Sequence, residues 1–316
     1  MKLKSDCVWA KAGHVVATEQ FLLKERKRKS EMPEPSEPLQ VIEERQYIRF
    51  RAPGTEVSFD SKTGMMIALR YDGQNLIHRQ QGPSLNWYRS INNDPREWIQ
   101  PVIALRGFDW KMAEDGKSAS ILSEIEVKVG KVTVPYTIRY QVYSNGVVDV
   151  AADFTTGSNF DLPRLALQMF LNPSLEQVEW YGRGPMENYR DRKNAAYVGR
   201  YQTTVTDMAE HYARAQTMGG RTDTRWLSLT DDRGKGLKIT ATDTVDFSAQ
   251  HYTDKDLWQV KYGHDLPDIR RAEVVLNLDC IQRGLGNASC GPGPRPHYEI
   301  RKDTVYSYSF RMEPLR

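Results

Sequence analysis

Long apolar runs are missing from this chain, and no stretch of its 316 residues is long enough to span a bilayer. The opening Met1-Lys2-Leu3-Lys4-Ser5-Asp6 leads into no continuous apolar segment, so no signal peptide and no membrane partner are expected. Cysteine is scarce. Cys7, Cys280 and Cys290 are an odd number without metal-ligand spacing, which argues against a disulfide framework and a structural zinc and predicts free thiols. An excess of charge of one sign is also absent, the net being +3. The one dense basic run, Lys24 to Lys29, is interrupted by Glu25 and reads as a solvated linker face; a nucleic-acid partner is not expected. The sequence contains no His-Glu-x-x-His, no Gly-x-Ser-x-Gly and no P-loop lysine. Gly284-Leu285-Gly286 is only part of a glycine fingerprint and reads as a turn. Six scattered histidines give no ligand pair, and His211 and His264 read as loop residues.

What is present is a β pattern. The apolar period is two rather than 3.6: Tyr136, Ile138, Tyr140 and Val142 alternate with polar residues, and Val148 and Val150 resume after Asn145-Gly146. Asn-Gly between two alternating runs is a strong hairpin signal, because both turn positions need positive φ. Asp72-Gly73 and Asp115-Gly116 mark further turns, and Gly219-Gly220 and Gly234-Lys235-Gly236 break later strands. Many short strands at this spacing predict an all-β sandwich. Short helices are expected at Glu176 to Glu179 and Asp254 to Trp258. Before this region, Trp9 to Leu23 reads as short strands. Residues 31–38 hold three prolines and three glutamates, the composition of an extended linker.

A retaining glycosidase needs two carboxyl groups about 5 Å apart. Glu187, Asp191, Asp223 and Asp94 are the candidates, and each reads first as a loop carboxylate paired with an arginine. Asn287-Ala288-Ser289 fits an N-glycosylation acceptor, a short and common match.

One stretch is more specific. Trp180-Tyr181-Gly182-Arg183-Gly184-Pro185-Met186-Glu187-Asn188-Tyr189-Arg190-Asp191-Arg192 resembles the hallmark of the last domain of glycoside hydrolase family 2 β-galactosidases. The likeness continues through Ala195-Ala196-Tyr197, Arg221-Thr222-Asp223-Thr224-Arg225-Trp226, Phe247 to Thr253, Leu276-Asn277-Leu278-Asp279 and the glycine-rich Gly284 to Gly291. Gly82-Pro83 followed by Arg89 and Asn92-Asn93-Asp94 matches the early loop of that domain. Trp9 to His14 with Gln20-Phe21 looks like the end of the preceding immunoglobulin-like domain. The segments occur in family order over nearly the whole chain.

The resemblance implies a galactose-mutarotase-like β-supersandwich over 39–316, a linker over 31–38, and the last strands of an immunoglobulin-like sandwich over 1–30. It implies that both catalytic glutamates lie on a (β/α)₈ barrel outside this chain, which has no Asn-Glu dipeptide and no strand–helix alternation. No cofactor is expected here; the Mg and Na common in the family belong to the barrel. The implied partners are the remainder of the polypeptide, barrel and immunoglobulin-like domains, or a separately encoded large subunit, with a galactoside as substrate. A start inside a neighbouring domain fits a truncation better than a natural small subunit. Arg89, Asn92, Asn93, Asp94, Asn287, Ser289 and Cys290 are then the rim of the leaving-group subsite. Two departures alter that rim. Cys290 stands where members carry a stacking tryptophan, a role that Trp87, Tyr88 or Trp98 could take instead. Ala215-Gln216-Thr217-Met218-Gly219 replaces Pro-Gln-Glu-Asn-Gly and removes a carboxylate. The alternatives are a free-standing carbohydrate-binding module and an aldose 1-epimerase. The latter needs a converging His and Glu, and the sequence assigns no such pair.

Overall fold

The computed structural model describes residues 1–24, 34–35, 37–92, 94, 97–287 and 291–316. The chain divides into two compact units, Met1–Pro33 and Glu34–Arg316. Half of the linker expected over 31–38 lies outside the described residues.

In the first unit, Leu3 N donates to His14 O and Gly13 N to Leu3 O, both at 2.9 Å, and Lys2 and Val15 form an isolated bridge. The strands expected between Trp9 and Leu23 do not form among the described residues. Two short segments without further partners make a loop closed by a few bonds, because a sheet needs more strands than these to be stable. Trp9, Val15, Val16 and Phe21 are exposed.

The second unit is antiparallel β throughout, in a five-stranded and a twelve-stranded sheet. The small sheet runs in sequence order from Gln40–Glu44 to Gln74–Asn75. It packs on the large one through aromatic edges, Phe50 against Trp110 at 5.5 Å and Phe59 against Tyr140 at 5.0 Å. The period of two is realised. Ser118–Val129 and Val132–Tyr143 alternate buried and outward positions along their length. Their neighbour Val148–Thr155 follows the Asn145-Gly146 turn, where Gly146 sits at φ 89°. Asp72-Gly73 and Asp115-Gly116 also lie in turns between paired strands.

Two strands, Arg164–Leu171 and Val274–Gln282, are almost wholly buried and pair with each other. They are covered on both faces, so a charge on them must find a partner. Arg164 does so. Its guanidinium holds Asp279 through two nitrogens and Asp254 Oδ2 at 2.9 Å. Asp254 opens a short helix, Asp254–Gln259, whose start is fixed by a capping box: Thr253 Oγ1 accepts from Asp256 N, and Asp256 Oδ2 from Thr253 N. The helix expected at Glu176 to Glu179 is instead the entry to a strand, Gln177–Gly184, with Val178, Trp180 and Gly182 turned inward. A period of two runs through this stretch and overrides the helical propensity of its glutamates.

Candidate functional site

Loops from four separate parts of the second unit meet at a cavity of about 310 Å³. Ile91 comes from the early loop, Glu187 and Arg192 from the segment after Gln177–Gly184, Gln216 and Thr217 from the segment before Arg221–Thr230, and Leu285 from the glycine-rich stretch.

Each loop is tied down by its own polar anchor. The early loop is held by Arg89, whose Nε donates to Asp94 Oδ2 at 2.7 Å and whose Nη1 donates to Arg283 O at 2.6 Å. Asp94 also accepts from Arg283, so the early loop and the root of the glycine-rich stretch share one ion cluster. Arg89 and Asp94 are buried. Thr217 bridges deeper layers. Its hydroxyl accepts from Ser90 N at 2.6 Å and donates to Asp254 Oδ1, and its own N donates to Ser90 O. Asn86 Nδ2 donates to the same aspartate at 3.1 Å. Thr217 is thus a buried strut joining the early loop and its own segment to the Arg164 cluster.

The glycine-rich stretch hangs on Asp191, which accepts from Leu285 N at 3.0 Å and Gly286 N at 2.8 Å. A Cβ on Gly284 would come within 2.8 Å of Asp191 Oδ2, so this approach needs glycine. Glu187 is gripped by three donors: Tyr189 Oη at 3.1 Å, Gly219 N at 2.8 Å and the Tyr212 hydroxyl. Burial, and then the Glu187 charge, push both tyrosine hydroxyls well above their usual range, so both remain protonated donors.

Of the four carboxylates weighed from sequence, Asp94 and Asp223 pair with arginines; Asp223 Oδ2 meets Arg183 Nε at 2.5 Å. Asp191 and Glu187 instead hold backbone amides and tyrosines. The stacking alternatives at Trp87 and Tyr88 do not stand, since both rings are buried and pack against each other and Trp98. Asn92 is half-buried and Asn287 exposed, its N donating to Pro292 O at 3.0 Å. Asn93, Ser289 and Cys290 lie outside the described residues. Tyr212 carried no local signal in the sequence, and Leu285 was marked only as part of the Gly284-Leu285-Gly286 turn; both become site residues because distant segments fold onto them. Cys7 and Cys280 are free, and burial pushes the Cys280 thiol up to about 12. Among the described residues no group of side chains has the makings of a metal site.

An antiparallel sandwich that gathers four loops round a polar cavity is, by class, an all-β domain with a loop-built rim. The chain belongs to the family described as Beta galactosidase small chain, whose model matches residues 51–312. Curated relatives named Beta-galactosidase include those of Priestia megaterium, 24% identical over 100% of this chain and 31% of the relative, and Halalkalibacterium halodurans, 26% identical over 98% and 32%. The chain therefore spans about a third of the length of these relatives. Among solved structures, the galactose 1-epimerase of Lactobacillus acidophilus is similar over 88% of this chain and 98% of its own, at 8% identity and a TM-score of 0.47.

Proposed function

We propose that this chain is the non-catalytic rim portion of a β-galactosidase, lining the leaving-group subsite while the hydrolytic carboxylates lie elsewhere in the enzyme. The observation that supports it most is the family match over 51–312 in a chain that spans only 31% of a β-galactosidase relative. The rim chemistry agrees. A neutral sugar needs acceptors, donors and an apolar wall, and the cavity offers Glu187, Arg192, Gln216 and Leu285. Arg89, Asp94 and Asp191 serve as positioning residues, because each is spent on holding a loop.

The 316-residue chain alone should not hydrolyse nitrophenyl β-galactoside above blank. Turnover by the purified chain that disappears on Glu187→Gln or Asp191→Asn would overturn the reading and make one of them a catalyst. In the complete enzyme, Gln216→Ala should raise KM for a disaccharide substrate severalfold with a small change in kcat, as lost uniform binding does. An equal loss in kcat would place Gln216 at the reacting bond instead.

A further inference from the structure

A second cavity, of about 460 Å³, lies between the turn Thr206–Met208 with its following loop, the end of Gly236–Gln250, and the turn Gly263–Ile269. Its volume is that of a small-molecule site. Tyr212 is common to its wall and the rim cavity, but the remaining walls are its own. One side is aromatic and open to solvent. His264 lines it, and Tyr262 stacks on His264 at 5.4 Å with the rings 8° apart. Tyr262 is 45% exposed.

The floor is the opposite in character. Gln250 lines the cavity at 3% exposure; its Nε2 donates to Met208 O at 3.1 Å, and its Oε1 has no hydrogen-bond partner among the described residues. Gly219, at φ 77°, leaves the space that this amide occupies, since a Cβ there would come within 2.1 Å of Gln250 Nε2. An unpartnered buried carbonyl is costly to the fold, so a ligand that reaches it and donates to it gains what the fold has left unmade. Both ring nitrogens of His251 beside it are already engaged, Nδ1 with Glu273 O at 3.1 Å and Nε2 with Glu176 Oε2 at 3.0 Å. Arg270 and Glu210 both line the cavity, so its charge is balanced.

We propose that this cavity is a second sugar-binding site, for a neutral pyranose ring. One hydroxyl donates to Gln250 Oε1, and the apolar face of the ring lies on the aromatic wall. A balanced pair of charges does not select an ion, and an orphaned acceptor disfavours an anion or a purely apolar guest. The inference does not depend on the galactosidase reading, because its residues, Tyr212 apart, are separate from the rim.

The test is ligand-observed NMR on the 316-residue chain with methyl β-galactoside and methyl β-glucoside, and glycerol as control. Binding of at least one glycoside and not of glycerol is expected. His264→Ala and Tyr262→Ala, both near the surface, should weaken it about threefold to tenfold, the worth of one aromatic contact. Gln250→Met should weaken it further; if that variant loses its fold by circular dichroism, the two surface variants decide. No binding at about 50 mM glycoside would overturn the proposal. So would a Kd that His264→Ala and Tyr262→Ala leave unchanged, and if Gln216→Ala then weakens binding, the sugar sits at the rim.

Discussion

Asp246 and Asp223 are neighbours with opposite electrostatic fates. Asp223 is held below the usual carboxylate range: burial works against it, but the bonds from Arg183 and Lys193 prevail. Its stabilisation is present above the unfolded value and fades as pH falls. Among the described residues Asp246 accepts only the Asp223 amide, at 3.0 Å, and it stands in register opposite Asp279. Burial first, then the charges of Asp279 and Asp223, push its carboxyl up to about 7 against 3.8 unfolded, and the amide bond offsets only part of this. Folded Asp246 holds a proton that the unfolded chain has lost, so its contribution to stability falls as pH rises from about 4 through 7. Asp246→Asn should therefore stabilise the protein on the order of 4 kcal/mol at about pH 8 and make almost no difference below about pH 4. Chemical denaturation at the two pH values checks this, and an equal effect at both would remove the titration from the explanation.

Among the elements, the hairpins were legible in the sequence and the site was not. Gly146 and Gly116 act through positive φ, while Asn145 and Asp115 act through side-chain oxygens that accept from Val147 N and Lys117 N, so the instruction is local to each turn even though only the glycine of each pair takes positive φ. The short helix after Thr253 was legible for the same reason. The rim was only partly so: the motif segments marked which loops matter, but not what ties them. Asp254 meets Arg164, Thr217 and Asn86 across long sequence separations, and no local pattern announces such a junction. Glu176 to Glu179 misled because a run of good helix formers is read before the burial of Val178 and Trp180 is known. The glycine-rich stretch gives an element-scale test. Asp191→Ala removes the acceptor of two amides and should speed exchange of Leu285 and Gly286 by about tenfold or more, while the Arg164–Leu171 strand keeps its protection. Unchanged exchange at both amides would mean that the loop is held by something other than Asp191.

For the whole molecule, the two units differ in how much they bury. Residues 1–24 contribute a single bridge and exposed Trp9 and Phe21, whereas the second unit has a large core running from Leu39 to Met312 and a smaller cluster around Leu257 and Leu266. Hydrogen exchange should be fast throughout 1–24 and slow across the paired strands from Gln40 onward. Comparable protection in both would defeat this picture. The large sheet also carries a constraint of time. Its strand Val305–Leu315 sits between Val148–Thr155 and Gly236–Gln250, pairing with both. A ribosome makes those two neighbours first and must leave a slot between them, with two rows of unpaired amides and carbonyls facing an empty lane. Until the late strand threads in, each row is a template for any extended peptide nearby, including another nascent copy. The keystone position that unites the sheet in the finished protein is thus its most vulnerable seam during synthesis.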